Sequence, residues 1–370
     1  MIATSEYNDP QGSTWRKWDL HIHTPGTKLY DSYKSSDMDV WDKFCEVIEK
    51  SDVKIFGLAD YFSADNYFIF LEKYFKKYPY SKKKFFLNIE LRLNESVNRE
   101  LEEVNVHLIF NPLSIDKVDK FLNKLCVVKT GKDETPISCS ELSTEDDYKS
   151  ATVTRQNIAN AFEETFGKKA TRQDHFLIFT AANNDGIRPV RGKRRKEIIT
   201  DEIDKFTDAF FGGIQNVNYF LNINRLEDDG TLIGKKPVVS GCDAHSFEEL
   251  DRYLGQRVTE EINNKDQIIA DVTWIKADPT FEGLKQILYE PEPGERVKIG
   301  PIKPDLKDEY KVIQKITFGI DTDFPEEVKL NGNLCSIIGS RSSGKSALLA
   351  YLAHSVDKEL AETRGEKLRQ

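Results

Sequence analysis

The stretch Asp19-Leu20-His21-Ile22-His23-Thr24 decides how this chain is read. Side chains alternate in direction along a β-strand, so a strand here turns both imidazoles to one face and packs Ile22 on the other. Two ring nitrogens on one face suit a single divalent ion. Ser240-Gly241-Cys242-Asp243-Ala244-His245 repeats the spacing with a carboxylate and an imidazole at the end of an apolar run, where α/β folds place their sites. Glu90 in Asn88-Ile89-Glu90-Leu91, His107 in Asn105-Val106-His107-Leu108 and His175 in Asp174-His175-Phe176-Leu177 bring the set to seven nitrogen and oxygen donors. Any one of these histidines alone reads as an ordinary core or surface residue. The two pairs spaced by two are what point to a metal centre, and imidazole with carboxylate suits zinc, manganese or iron rather than calcium.

Outward from these motifs, short apolar runs alternate with amphipathic stretches, the pattern of an α/β domain. Strands are expected at 18–23, 54–60, 85–91, 104–110, 175–180 and 237–243. Helices are expected at 38–50, 66–77, 115–125, 156–166 and 247–254. Such repeats favour a parallel sheet, open or closed into a barrel. Residues 129–149, rich in Thr, Ser, Asp and Glu, read as an exposed, mobile loop. Glu290-Pro291-Glu292-Pro293-Gly294-Glu295 is linker-like, so a first domain is expected over 1–290, a linker over 291–310 and a second domain over 311–370.

With 370 residues, 39% of them hydrophobic, the chain can build two cores, which excludes a disordered tail protein. A net charge of −9 excludes a uniformly basic nucleic-acid wrapper, while a local basic patch can still steer a polyanion. The five scattered cysteines indicate reduced thiols rather than a disulfide framework. Neither a signal peptide nor a membrane-length apolar run is present, which reads as a cytoplasmic protein.

Asp19-Leu20-His21-Ile22-His23-Thr24-Pro25, Gly57-Leu58-Ala59-Asp60-Tyr61, Glu90, His107, His175 and Gly241-Cys242-Asp243-Ala244-His245-Ser246 resemble, in order, the motifs of the polymerase-and-histidinol-phosphatase (PHP) family. The resemblance implies a distorted seven-stranded β/α barrel with two or three divalent ions, zinc or manganese, hydrolysing phosphoesters. It implies that His21, His23, Glu90 and Asp243 hold one ion, that Glu90 bridges to a second held by His107 and His175, and that His245 belongs to a third. Two departures stand out: Tyr61 follows Asp60 where the family usually has His, and no acidic residue or His lies close behind the first motif, Asp31 being nearest. Two filled positions and a weak or empty third are therefore expected. Paired ions of this kind activate a water for attack on phosphorus, with Asp60 or Tyr61 as a candidate to orient that water or protonate the leaving oxygen.

After the His175 strand, Arg188, Arg191, Lys193, Arg194, Arg195 and Lys196 put six cations into nine residues. That run reads either as a solvated charge run or as a substrate grip over the metal site, and the second reading favours nucleic acid over a small ester. Further on, Gly339-Ser340-Arg341-Ser342-Ser343-Gly344-Lys345-Ser346 fits the phosphate-binding loop, with Lys345 set for the β and γ phosphates of ATP and Ser346 for magnesium. The segments 315–320 and 327–332 look like the opening strands of an ABC/SMC-type ATPase head, incomplete in this sequence. A PHP domain joined to such a loop resembles the TrlF-type PHP–ATPase fusions, linked to anti-phage defence. The resemblance implies a nuclease gated by nucleotide and assembled as a homo-oligomer through the ATPase domain. A small-molecule phosphatase and a non-catalytic PHP scaffold are the rival readings.

Overall fold

The computed structural model describes residues 11–97, 103–129, 135–183, 185–188, 196–226, 232–262, 264–305, 307–308, 311–319 and 325–357. Two compact units emerge, Met1–Leu306 and Lys307–Gln370.

The first unit runs β1 (Trp15–His23), α1 (Val40–Lys50), β2 (Ile55–Tyr61), α2 (Asp65–Lys77), β3 (Lys84–Leu93), β4 (Val104–Phe110) and α3 (Val118–Lys124). There follow β5 (Cys126–Lys129), β6 (Ile137–Ser138), α4 (Glu145–Ser150), β7 (Ala151–Thr152), α5 (Arg155–Phe166), β8 (Phe176–Ala181), α6 (Glu197–Phe206), β9 (Ala209–Phe211) and α7 (Ile214–Phe220). β10 (Val238–Val239), α8 (Phe247–Tyr253), β11 (Val258–Ile262), β12 (Lys265–Ala270), β13 (Thr273–Lys276), α9 (Phe281–Lys285) and β14 (Val297–Ile299) complete it.

Nine strands share one sheet in the order β10-β9-β8-β4-β3-β2-β1-β13-β14. The sheet is mixed rather than parallel, because β4 runs against both β3 and β8. A direct return of about ten residues between β3 and β4 is too short for the helical crossover that parallel neighbours need. The strand expected at 237–243 pairs with β9 only through Val238 and Val239. Its continuation leaves the ladder and reaches β1, where Asp243 N donates to His21 O at 2.8 Å and His23 N donates to Ala244 O at 3.2 Å. Those bonds close the circuit from β1 to β10 into a nearly complete barrel. Two glycines permit the approach: a Cβ on Gly241 would lie 2.5 Å from His21 Cβ, and one on Gly57 would lie 2.2 Å from Leu20 O.

Helices cover the barrel through aromatic contacts. Phe110, Phe121 and Phe176 are fully buried where α3 meets β4 and β8, and each such ring contributes about 2–3 kcal/mol of burial. The segment expected to be a mobile loop is ordered over 135–149. Thr144 and Asp147 form a reciprocal cap on α4, and Cys139, Leu142 and Tyr148 bury themselves, so three anchors in a polar stretch suffice. The linker-like 290–296 is a turn, with Gly294 at φ 93°, that feeds β14 back onto β13. The first unit therefore continues past 290. The cysteines are free thiols, and Cys45, Cys139 and Cys242 are buried. Among the described residues no helix is long and apolar enough to cross a membrane.

In the second unit β15 (Lys315–Thr317) pairs antiparallel with β16 (Glu327–Lys329), and α10 (Lys345–Val356) starts directly after Gly344. Residues 334–339, which lead into the glycine-rich loop, are in no strand ladder among the described residues.

Candidate metal centre

β1 delivers His21 and His23 side by side, β3 delivers Glu90, and the segment closing the barrel delivers Asp243. Asp243 adopts φ 50°, a conformation L side chains rarely take, which aims its carboxylate back at β1. His21 Nε2 lies 3.3 Å from His23 Nε2, 3.2 Å from Glu90 Oε2 and 3.1 Å from Asp243 Oδ1. His23 Nε2 lies 3.2 Å from Glu90 Oε2 and 3.4 Å from Asp243 Oδ1. Donors about 3.3 Å apart suit ligands at about 2.0 Å around an ion of zinc's size, and the triads His21–His23–Asp243 and His21–His23–Glu90 each have that spacing. A second group of donors, His21, Glu90 and His107, also lies within 4.8 Å.

The ring orientations are fixed from behind. The Thr27 hydroxyl donates to Asp60 Oδ1 at 3.1 Å and therefore accepts from His23 Nδ1 at 3.2 Å, which leaves His23 Nε2 facing the cluster. His107 Nδ1 donates to Asn88 Oδ1 at 3.2 Å, while Asn88 Nδ2 donates to Leu20 O at 2.9 Å. Glu90 Oε1 accepts from Asn105 Nδ2 at 2.8 Å, keeping Oε2 for the cluster. Asp19 is buried and accepts from the backbone N–H groups of His21 and Cys242, tying the two donor pairs together. Burial pushes its carboxyl up to about 6.

Burial alone would lower His23, yet the Asp243 and Glu90 carboxylates outweigh it and hold the imidazole up at about 9. His21 is raised by the same partners against the same burial. Glu90 goes well below the usual carboxylate range: burial opposes ionisation, but His107, His21 and His23 prevail. His107 is pushed down to about 3 by burial and then by His21, which keeps it neutral with a lone pair to offer.

The structure brings His21, His23, Glu90, His107 and Asp243 together and leaves His175 and His245 outside. His175 precedes β8, whose Phe176 pairs with Phe110, whereas His107 pairs with Phe179. It therefore sits about 13 Å along the strand from the His107 level. There its Nδ1 meets Ser114 Oγ at 2.7 Å and its ring stacks on Phe166 at 4.0 Å. His245 spends both nitrogens within the protein: Nδ1 donates to Asp243 O at 3.0 Å, and Nε2 accepts from the Tyr61 hydroxyl at 3.2 Å. Tyr61 thus occupies an imidazole rather than standing free for a leaving group. Asp60 is buried and accepts from Thr27, Lys28 N, Tyr61 N and Asn66, so it braces His23 from behind instead of facing the cluster. Thr27, Asn88 and Asn105 were not singled out from sequence. For Asn88 and Asn105 the available signal was a polar residue inside an apolar strand beside a donor, whereas Thr27 lies in the loop after β1.

A cleft of about 570 Å³ opens on the cluster, lined by Asn105, Asp185, Arg188 and β12. Arg188 holds its guanidinium carbon 3.5 Å from the centre of the Tyr219 ring. Arg191, Lys193, Arg194 and Arg195 lie outside the described residues. In the second unit, Lys345 Nζ donates to Gly339 O at 2.9 Å and to Ser340 O at 2.6 Å, so the lysine curls over the loop 339–346.

No protein-family model and no curated protein matches the chain. Among solved structures it is similar to a two-domain protein from Bacteroides vulgatus containing a predicted PHP-like metal-dependent phosphoesterase. That match has 13% identity, 80% of this chain covered, 68% of the other and a TM-score of 0.38. A metal-dependent phosphoesterase, assigned by prediction, from Bifidobacterium adolescentis aligns over 75% of this chain and 96% of its own at 11% identity and a TM-score of 0.33. Agreement of that order is loose, and the chemistry of the site stands on its side-chain geometry alone.

Proposed function

We propose that the first unit is a metal-dependent phosphoesterase that hydrolyses phosphodiester bonds of nucleic acid. The observation that carries this reading is the convergence of His21 Nε2 and His23 Nε2, 3.1–3.4 Å from Glu90 Oε2 and Asp243 Oδ1, beside an open cleft. Those four side chains would hold one divalent ion, and Glu90 with His107 would contribute to a second. Bound there, such ions polarise phosphoryl oxygens and lower the pKa of a coordinated water. The protein's own part is to fix each ring through Thr27, Asp60 and Asn88, and to offer Arg188 as a cation for phosphate. A guanidinium stacked on Tyr219 is held flat, the geometry for paired hydrogen bonds to a phosphate. Arg191, Lys193, Arg194 and Arg195 continue the charge run from that point and favour a polyanion.

For the second unit the proposal is a nucleotide site at Gly339–Ser346, with ATP and magnesium regulating the hydrolase in a cytoplasmic homo-oligomer. A role in defence against phage is the biological setting this combination suggests. Cleavage of single- and double-stranded DNA and RNA with added zinc or manganese, with and without ATP, tests the reading. Metal-dependent cleavage of at least one polymer is expected. Hydrolysis of aryl phosphates with every polymer left intact would replace the nuclease with a small-molecule phosphatase.

A further inference from the structure

Tyr30 carries two costs in the folded chain. Its backbone sits at φ 60°, a left-handed conformation costing a non-glycine residue on the order of 1 kcal/mol or more, and its ring is 61% exposed. The loop around it is not free to relax. Asp31 accepts from Gly26 N at 3.0 Å and Tyr33 N at 3.1 Å, Ser32 N donates to His245 O at 3.0 Å, and the Tyr33 hydroxyl donates to His23 O at 2.8 Å. Held this way, the Tyr30 ring stands edge-to-face with Tyr61 and with His245, at 6.0 Å from each. His245 in turn stacks on His23 at 4.0 Å. Two ring contacts therefore connect an exposed, rigidly presented aromatic to a donor of the metal centre.

We infer that Tyr30, with His245 beside it, forms a subsite for the planar base of a nucleotide whose phosphate lies at the metal centre. An exposed aromatic offers a π-face to any base, which gives affinity without sequence preference. The subsite rests on the phosphoesterase reading and adds a recognition element that is not part of the cleft lined by Arg188.

Calorimetric titration of the zinc-loaded full chain with thymidine 5′-phosphate and with methyl phosphate tests it. Tyr30→Ala is expected to weaken thymidine 5′-phosphate about tenfold or more, with methyl phosphate unchanged and Tyr30→Phe close to wild type. Equal loss for both ligands, or none for either, overturns the subsite and leaves the metal-centre reading intact. If the wild type binds neither phosphate, the phosphoesterase reading falls and the subsite with it.

Discussion

His107 lies within β4 and His175 just before its antiparallel neighbour β8, at opposite ends of that pair. His107 lies where β4 passes Glu90 and His21, and two carboxylates and two further imidazoles converge on the same space. His175 lies beyond the other end, against Ser114 and Phe166, with its Nδ1 on the serine hydroxyl. Residue type is identical; position along the strand decides whether an imidazole meets a cation or a hydroxyl. The difference teaches that the donor set belongs to one rim of the barrel and is completed only where residues 241–245 close onto β1.

The sharpest way to break this contrast is to remove donors at each end. His21→Ala or Asp243→Ala is expected to weaken zinc binding by more than about 100-fold, beyond the effect typical of outer partners, whereas His175→Ala leaves metal content at the wild-type level. Elemental analysis of the purified proteins decides it, and loss of metal in His175→Ala would erase the distinction between the two ends. A smaller effect is expected one step behind the donors. Thr27→Ala and Asn88→Ala should each cost about 10–100-fold in zinc affinity, measured by competition with a chelator, because each frees a ring to turn.

Proton linkage gives a third test. His23 is raised to about 9 in the folded, metal-free protein against an ordinary value near 6.5, so its stabilisation is complete below pH 6.5 and is lost as pH rises through 9. The metal-free protein should thus melt at progressively lower temperature from pH 6.5 to 9. With zinc in the proton's place that decline should flatten, and identical pH profiles with and without metal would contradict the assignment. The smallest effect belongs to the other end: Ser114→Ala removes one hydrogen bond and is expected to cost about 1 kcal/mol in denaturant unfolding, with metal content unchanged.

Much of the barrel could be read from sequence because period-two alternation in strongly apolar runs fixes strands locally, and β1 to β4 appear where that pattern put them. The two histidine and aspartate motifs were legible for the same reason, since spacing along a strand dictates which side chains share a face. Direction and closure were not legible. Nothing local in Val104–Phe110 announces that the strand runs backwards, and the pairing of 243–244 with 21–23 depends on contacts more than 200 residues apart. His175 was misplaced for that reason, because its distance from the cluster follows from the β4–β8 register rather than from its neighbours. Tyr61 and His245 spend their polar atoms on each other, a pairing between positions 184 residues apart that no local pattern encodes.

The central claim is that four side chains from β1, β3 and the barrel closure enclose one ion. X-ray absorption at the zinc edge, on protein loaded with one equivalent, reads that shell directly. Four nitrogen and oxygen ligands at about 2.0 Å, two of them imidazoles, are expected. A shell containing sulfur at about 2.3 Å, or zinc surrounded by water oxygens alone, would contradict the account.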